Sequence, residues 1–193
     1  MFAACIAAHF AAAAPSAGND FGYSGDGATL NTEAINRAIR HVHAAGGGRV
    51  RLEHGVYVTG RVELLSNIEL YVGRGAFLNS SCHIKDWTAF TVVPPPGCGG
   101  CVGGTCDGRD GGGGAPCSNT TGPCTQRNYG GPLIWAQGQR NISLRGGGTL
   151  DGCGGSWWHA PLPMGENRGR LIALVRCDDI TIEDVTLRNS VSH

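Results

Sequence analysis

Two stretches of this 193-residue chain repeat one another at the same internal spacing, and that repetition limits the fold more than any other feature. In PLIWAQGQRNISLRGGGTLDG and RLIALVRCDDITIEDVTLRNS, Leu133-Ile134 answers Leu171-Ile172 and Asn141-Ile142-Ser143-Leu144 answers Asp179-Ile180-Thr181-Ile182. Thr149-Leu150 likewise answers Thr186-Leu187, and an earlier unit, Asn67-Ile68-Glu69-Leu70 followed by Phe77-Leu78, has the same skeleton. Each unit is two or three short strands with an Asn or Asp before the apolar pair. A hairpin meander does not require such agreement between units, whereas parallel stacking of like residue over like residue does. The fold class expected is all-β: a parallel β-helix of roughly four or five coils. Ile142 and Ile180 are expected to stack inward on adjacent coils at the usual strand spacing of about 4.8 Å.

The region before the repeats supplies a cap. Ala34, Ile35, Ala38, Ile39 and Val42 make one apolar stripe at helical spacing, with Asn31 or Thr32 as N-cap, Glu33 in the first turn and Gly46–Gly48 as the stop. A single amphipathic helix needs something to cover, and the open N-terminal end of the coil stack fits. After it come alternating pairs, Val50/Leu52, Val56/Val58, Val62/Leu64 and Ile68/Leu70, separated by glycine turns.

The first stretch, 1–18, is apolar and ends in small residues as a secretory leader does, yet it lacks a basic start and His9 interrupts it. It is too short to span a bilayer. If Cys5 leaves with it, eight of the nine cysteines remain, an even number. Asn79, Asn119 and Asn141 head Asn-x-Ser/Thr triplets, weak support for secretion. Residues 19–193 are then the β-helix domain, interrupted at 94–124 by a segment too rich in Gly and Pro to pack. Its cysteines at 98, 101, 106, 117 and 124 fit disulfides pinning an exposed insertion better than a zinc knuckle, which would want a second close pair; unpaired thiols are a third reading. Formal net charge is zero and the bases, fourteen arginines plus Lys85, are scattered, so nothing marks a nucleic-acid surface.

Residues with chemical potential have plainer roles. Trp157 and Trp158 could stack on a sugar, but packing on the outside of the coils is preferred. Asp151, Asp178, Asp179, Glu183 and Asp184 could serve a glycosidase, which works with paired carboxylates. Asp179 and Asp184, however, fall at bends of the repeat, where Asx-type hydrogen bonding accounts for them. The glycine-rich stretch before the helix follows no strand and has no Gly-Lys-Ser/Thr, so nucleotide binding is not expected.

Four blocks then resemble a known family in its own order: DFGYSGDGATLNTEAINRAI, AAGGGRVRLEHGVYVTGRVELLSNIELYVGRGAFLNSS, PLIWAQGQRNISLRGGGTLDGCGGSWW and NRGRLIALVRCDDITIEDVTLRNS. They look like the N-terminal portion of polygalacturonase-like glycoside hydrolases, departing from it at Gly169 and in the insertion. The resemblance implies a right-handed parallel β-helix, hydrolysis of α-1,4-linked galacturonan in pectin with inversion, no cofactor or metal, a secreted or cell-wall location, and a polysaccharide partner for the full-length protein. It implies neither nucleic acid nor membrane. The family's chemistry resides in an Asn-Thr-Asp segment, a following Asp pair, a Gly-His-Gly and an Arg-x-Lys. Here Asn119 heads Asn-Thr-Thr in the insertion, His54 stands in Glu-His-Gly on an early strand, and no Arg-x-Lys occurs. No catalytic, substrate-binding or metal residue is therefore assigned. The close at TLRNSVSH reads as one coil leading into an absent next, so an inactive fragment is expected. The competing expectations are a non-catalytic β-helix module binding polysaccharide or a partner, and a calcium-dependent pectate lyase, for which the carboxylate cluster is missing.

Overall fold

The computed structural model describes residues 16–83, 86–87, 90–92, 124–126, 132–158 and 170–191. The described residues begin with β1 (Ser16–Ala17), a short 3-10 turn and β2 (Asp26–Leu30), followed by α1 (Thr32–Ala44). The first full coil is β3 (Gly48–Leu52), β4 (Gly55–Thr59) and β5 (Val62–Glu63). The next two run through β6 (Ile68–Val72) and β7 (Ala76–Ser80) to β10 (Ile134–Gln137), then β11 (Arg140–Arg145) and β12 (Thr149–Asp151) to β13 (Ile172–Val175). β14 (Asp178–Ile182) and β15 (Thr186–Arg188) begin a fourth. Like strands lie side by side and give three sheets, which we call A (β1-β3-β6-β11-β14), B (β2-β4-β7-β12-β15) and C (β5-β10-β13). Every neighbour within them is parallel. This is a right-handed parallel β-helix with a helix at its N-terminal end.

The register is the one that the repeats require. Ile134 pairs with Ile172, Ile142 with Ile180, Thr149 with Thr186 and Leu150 with Leu187. Leu70 pairs with Leu144 and Leu78 with Leu150, so the earlier unit is in step as well. Inside, Val50, Leu52, Leu70, Val72, Leu78 and Leu150 are all fully buried. Each such side chain contributes about 1.5–3 kcal/mol when removed from water. Ile142 is 1% exposed, but its partner Ile180 is 40% exposed: β14 is the edge of sheet A, so Ile180 has a coil on only one side.

The structure settles which face of β4 turns inward. Val56 and Val58 point outward, while Tyr57 and Thr59 are buried. Tyr57 pairs with Leu78, so the inward column of sheet B begins with an aromatic ring, packed edge-on against Tyr23 at 6.1 Å between centroids. Hydrophobicity favours either face of Val-Tyr-Val; the register with Leu78 decides.

The helix packs against β1, β3 and β5 and buries Ile35, Ala38, Ile39 and Val42. Asn31 is its N-cap, yet makes no side-chain cap bond. Its buried amide is committed elsewhere: Oδ1 accepts from Ser24 N (2.7 Å), and Nδ2 donates to the carbonyls of Ser24 (3.0 Å) and Thr29 (2.8 Å). Asn36, overlooked in the apolar stripe, closes the edge of sheet C. Its Nδ2 donates to Arg61 O (2.9 Å) and its Oδ1 accepts from Glu63 N (2.8 Å), the two bonds a neighbouring strand would have made. The turn after the helix passes through Gly47, with φ +114, where an added Cβ would lie 2.4 Å from Asn67 Cβ.

Both long excursions leave the stack at one corner, between sheets B and C on successive coils. A disulfide between Cys82 and Cys153, just past β7 and β12, ties their starting points together. At the root of the first, β8 (Phe90–Val92) and β9 (Cys124–Gln126) form a separate antiparallel ribbon. Most of the 94–124 insertion, with the cysteines at 98, 101, 106 and 117, lies outside the described residues. So do Asn119, the 1–15 stretch and the side chains of Trp157 and Trp158, whose backbone ends the short helix α2 (Gly154–Trp158).

Candidate functional site

The outward residues of each sheet form columns, one residue per coil, because parallel strands repeat at side-chain period two. On sheet A, Arg49 is level with Glu69 and Ser143, and Arg51 with Tyr71 and Arg145. Tyr71 lies beneath both arginines of the first coil, with Arg49 Cζ 5.1 Å and Arg51 Cζ 5.4 Å from its ring centre. Arg49 pairs with Glu69 and Arg145 with Glu183, each at 2.9 Å. Arg51 Nε is 2.8 Å from Glu53 Oε1 but makes no hydrogen bond at that angle, an ion pair without one. An open groove of about 1060 Å³ runs along this face beside Gly46–Gly48, Asn67 and Asn141. Its charges are internally matched, so this face presents little net field.

Sheet B carries a different column. Val58, Asn79, Asp151 and Arg188 are level on four successive coils. Asp151 is spoken for: Oδ1 accepts from Cys153 N (3.0 Å), and Oδ2 from Arg188 Nε (2.7 Å) and Asn189 Nδ2 (2.9 Å). Arg188 extends over Phe77, 5.6 Å from its ring centre. Beside this network, against the Cys82–Cys153 disulfide, is a polar cleft of about 390 Å³ lined by Asn79, Ser80, Asp151, Ser156 and Asn189. Asn79 Oδ1 is buried there with no hydrogen-bond partner. Asn79 sits on a central strand with this half-buried side chain, a poor acceptor for glycosylation once folded. Asn141, the other described triplet, is exposed.

The remaining carboxylates singled out by sequence are scattered. Asp178 and Asp179 open β14, Glu183 is paired to Arg145, and Asp184 stands at the bend before β15. Asp179 (φ 54) and Asp184 (φ 53) hold left-handed backbone, the bend positions expected of them. Their side chains are exposed, and the structure brings none of these four into the cleft with Asp151. His54 is exposed beside Gly75 at the turn into β4. Among the described residues, no three His, Cys, Asp or Glu side chains are grouped to hold a metal ion, and no helix is long and apolar enough to cross a membrane.

No protein-family model matches the chain. A curated Vitis vinifera protein named "Probable polygalacturonase" is 32% identical over 180 residues, covering 90% of this chain. Over that span the chain resembles the polygalacturonase-like family. It spans 32% of the length of that relative, about a third. Solved structures of polygalacturonases share its coil path. A hyperthermoactive exopolygalacturonase from Thermotoga maritima aligns with a TM-score of 0.66 at 22% identity, over 92% of this chain and 42% of that one. The polygalacturonase from Erwinia carotovora ssp. carotovora aligns at 0.57 and 24% identity, over 85% and 40%. At these identities the structural likeness is one of fold. What marks this polygalacturonase-like chain is the corner where two excursions are tied by a disulfide, next to the cleft at Asn79. Sequence reasoning missed that cleft, because Asn79 reads only as a glycosylation triplet until Asp151 and Arg188 are known to lie level with it.

Proposed function

We propose that this coil stack serves an enzyme that hydrolyses α-1,4-linked galacturonan, with inversion and without a cofactor. The kinship with the Vitis vinifera protein carries the reading. We further propose that these 193 residues supply the scaffold and saccharide-facing surfaces, not the acid and base. An inverting glycosidase needs two carboxyl groups about 6.5–9.5 Å apart, one protonated and one free to activate water. Asp151 is held by three hydrogen bonds and Glu183 by an arginine, which suits them to structure. A secreted location fits the Cys82–Cys153 bridge, since such bonds persist in oxidising compartments.

The test is release of reducing ends from polygalacturonate. The 193-residue chain should release none. A chimera adding coils after β15 that carry an Asn-Thr-Asp segment and a following Asp pair should be active. Robust hydrolysis by the short chain, abolished by Asp179→Asn or Asp184→Asn, would place the chemistry in the described coils and overturn the second proposal. An inactive chimera that folds would count against galacturonan as the substrate.

A further inference from the structure

We propose that Asn141 is an N-glycosylation site and that the outer face of sheet A carries the glycan. The inference rests on the secreted location proposed above and goes beyond it to one modified atom, Asn141 Nδ2. Two of the Asn-x-Ser/Thr triplets, at Asn79 and Asn141, fall among the described residues, and the fold treats them in opposite ways.

Asn141-Ile142-Ser143 lies on β11. Strand alternation turns Ile142 inward, where it is 1% exposed, and sets Asn141 and Ser143 on the outer face. Asn141 stands where its coil enters sheet A, level with Asn67 on one neighbouring coil and Asp179 on the other. All three are exposed. The open groove of about 1060 Å³ runs beside them, with Asn141 and Ser143 in its wall, so there is room for the first sugars of a glycan. Among the described residues, the Asn141 side chain makes one hydrogen bond, from Nδ2 to Asn67 Oδ1. A primary amide has two N–H groups. One is replaced by the sugar and the other remains for Asn67, so the bend is kept.

The Asn79 triplet is closed by folding. Its strand, β7, runs between β4 and β12, and Asn79 Oδ1 is enclosed. Ser80 and Ser81 are 4% and 2% exposed. The Ser81 hydroxyl, the group that completes the triplet, donates to Asp86 Oδ2, and Ser81 N donates to Thr59 O (2.7 Å). Cys82 follows at once and is in the disulfide. A bulky group on the Asn79 amide would have to push aside the wall around its enclosed oxygen.

The donor is an oligosaccharide headed by an N-acetylhexosamine and carried on a polyprenyl pyrophosphate. Asn141 Nδ2 attacks the anomeric carbon, forming the N–C bond as the C–O bond to pyrophosphate breaks. The pyrophosphate leaves with the electron pair, and the amide proton passes to a base of the transferase. Transfer acts on the unfolded acceptor, so the fold works afterwards as a filter: coils close around a glycan at Asn141 but not around one at Asn79. The glycan then covers the sheet A groove and gives that face to solvent.

The experiment is expression of the 193-residue chain in secreting eukaryotic cells, once with its own first stretch and once behind a supplied secretory leader. Peptide N-glycosidase converts each glycosylated asparagine to aspartate, so peptide mapping of the secreted protein reads the sites one by one. Asn141 should be converted and Asn79 should not. Ser143→Ala should lose the glycan at Asn141 and Ser143→Thr should keep it, with Asn141 and its bond to Asn67 intact in both. Unconverted Asn141 in secreted protein that has formed the Cys82–Cys153 bridge overturns the inference. So does conversion of Asn79 in that same folded material, or a glycan at Asn141 that persists in Ser143→Ala. Retention in the cell behind its own first stretch, with glycosylation behind the supplied leader, removes the secreted reading and leaves the site standing.

Discussion

Asn141 donates its side-chain amide to Asn67 Oδ1 on the preceding coil, across 3.0 Å, and both residues hold left-handed backbone (φ 54 and 64). Asp179 takes the same conformation one coil on, with φ 54. Asparagine tolerates this geometry better than other residues with a side chain, and here its amide also spans the step between coils. Asn141→Gly should therefore keep the backbone and lose one bond, costing about 1 kcal/mol. Asn141→Ala should add left-handed strain of about 1–2 kcal/mol to that loss. Urea melts that ranked alanine as the milder change would show that the bend is unstrained.

The Cys82–Cys153 bridge closes a loop across 71 positions. Loop-closure entropy then gives an upper estimate of about 4 kcal/mol. The double substitution to serine should lower the denaturation midpoint by a corresponding amount without altering the far-ultraviolet spectrum. An unchanged midpoint would mean that the excursions are held at their roots by other contacts.

Leu78 is fully buried between Tyr57 and Leu150 in the inward column of sheet B. Leu78→Ala should cost about 2–5 kcal/mol through lost transfer energy and a cavity between coils. Leu187→Ala, in the same column but 46% exposed, should cost far less. Thermal melts of the pair measure the difference, and equal losses would contradict the burial gradient along the stack.

Burial, and then the neighbouring Tyr57, push the Tyr23 phenol well above its ordinary pKa of 10. Its hydroxyl is shared between Arg51 O (2.9 Å) and Ala17 O (3.1 Å). A raised folded-state pKa means stability that is fully present below pH 10 and lost as pH rises above it, because the unfolded tyrosine ionises first. Unfolding free energy should decline from about pH 10 upward, and less steeply in Tyr23→Phe. The phenylalanine variant should also be weaker at neutral pH by about 1 kcal/mol for the lost bond. Parallel pH profiles for the two proteins would exclude this origin.

The sequence disclosed the stacking through Ile142 and Ile180 because a parallel coil stack makes each position meet its own counterpart. A regularity of that kind can be read without coordinates. Val56 and Val58 could not be oriented from the sequence because pattern alone cannot say which face of a short strand is inward; Leu78, on the adjacent coil, decides it. Asn31 and Asn36 show the same limit for polar groups. One stands at the helix start and the other within the helix, yet their amides serve backbone groups of segments that become neighbours only after folding. The cleft was hidden for the same reason: Asn79, Asp151 and Arg188 are far apart in sequence and adjacent only through register.

The corner between sheets B and C passes two excursions of unequal length on consecutive coils, and the strands on either side remain in step. Pitch and segment length are thus decoupled at that one edge, as a screw thread keeps its lead whatever is hung from its rim. New sequence can be spliced there, or existing sequence trimmed, without changing which residue stands above which. The same edge is where this architecture can diversify what it touches while its interior stays constant.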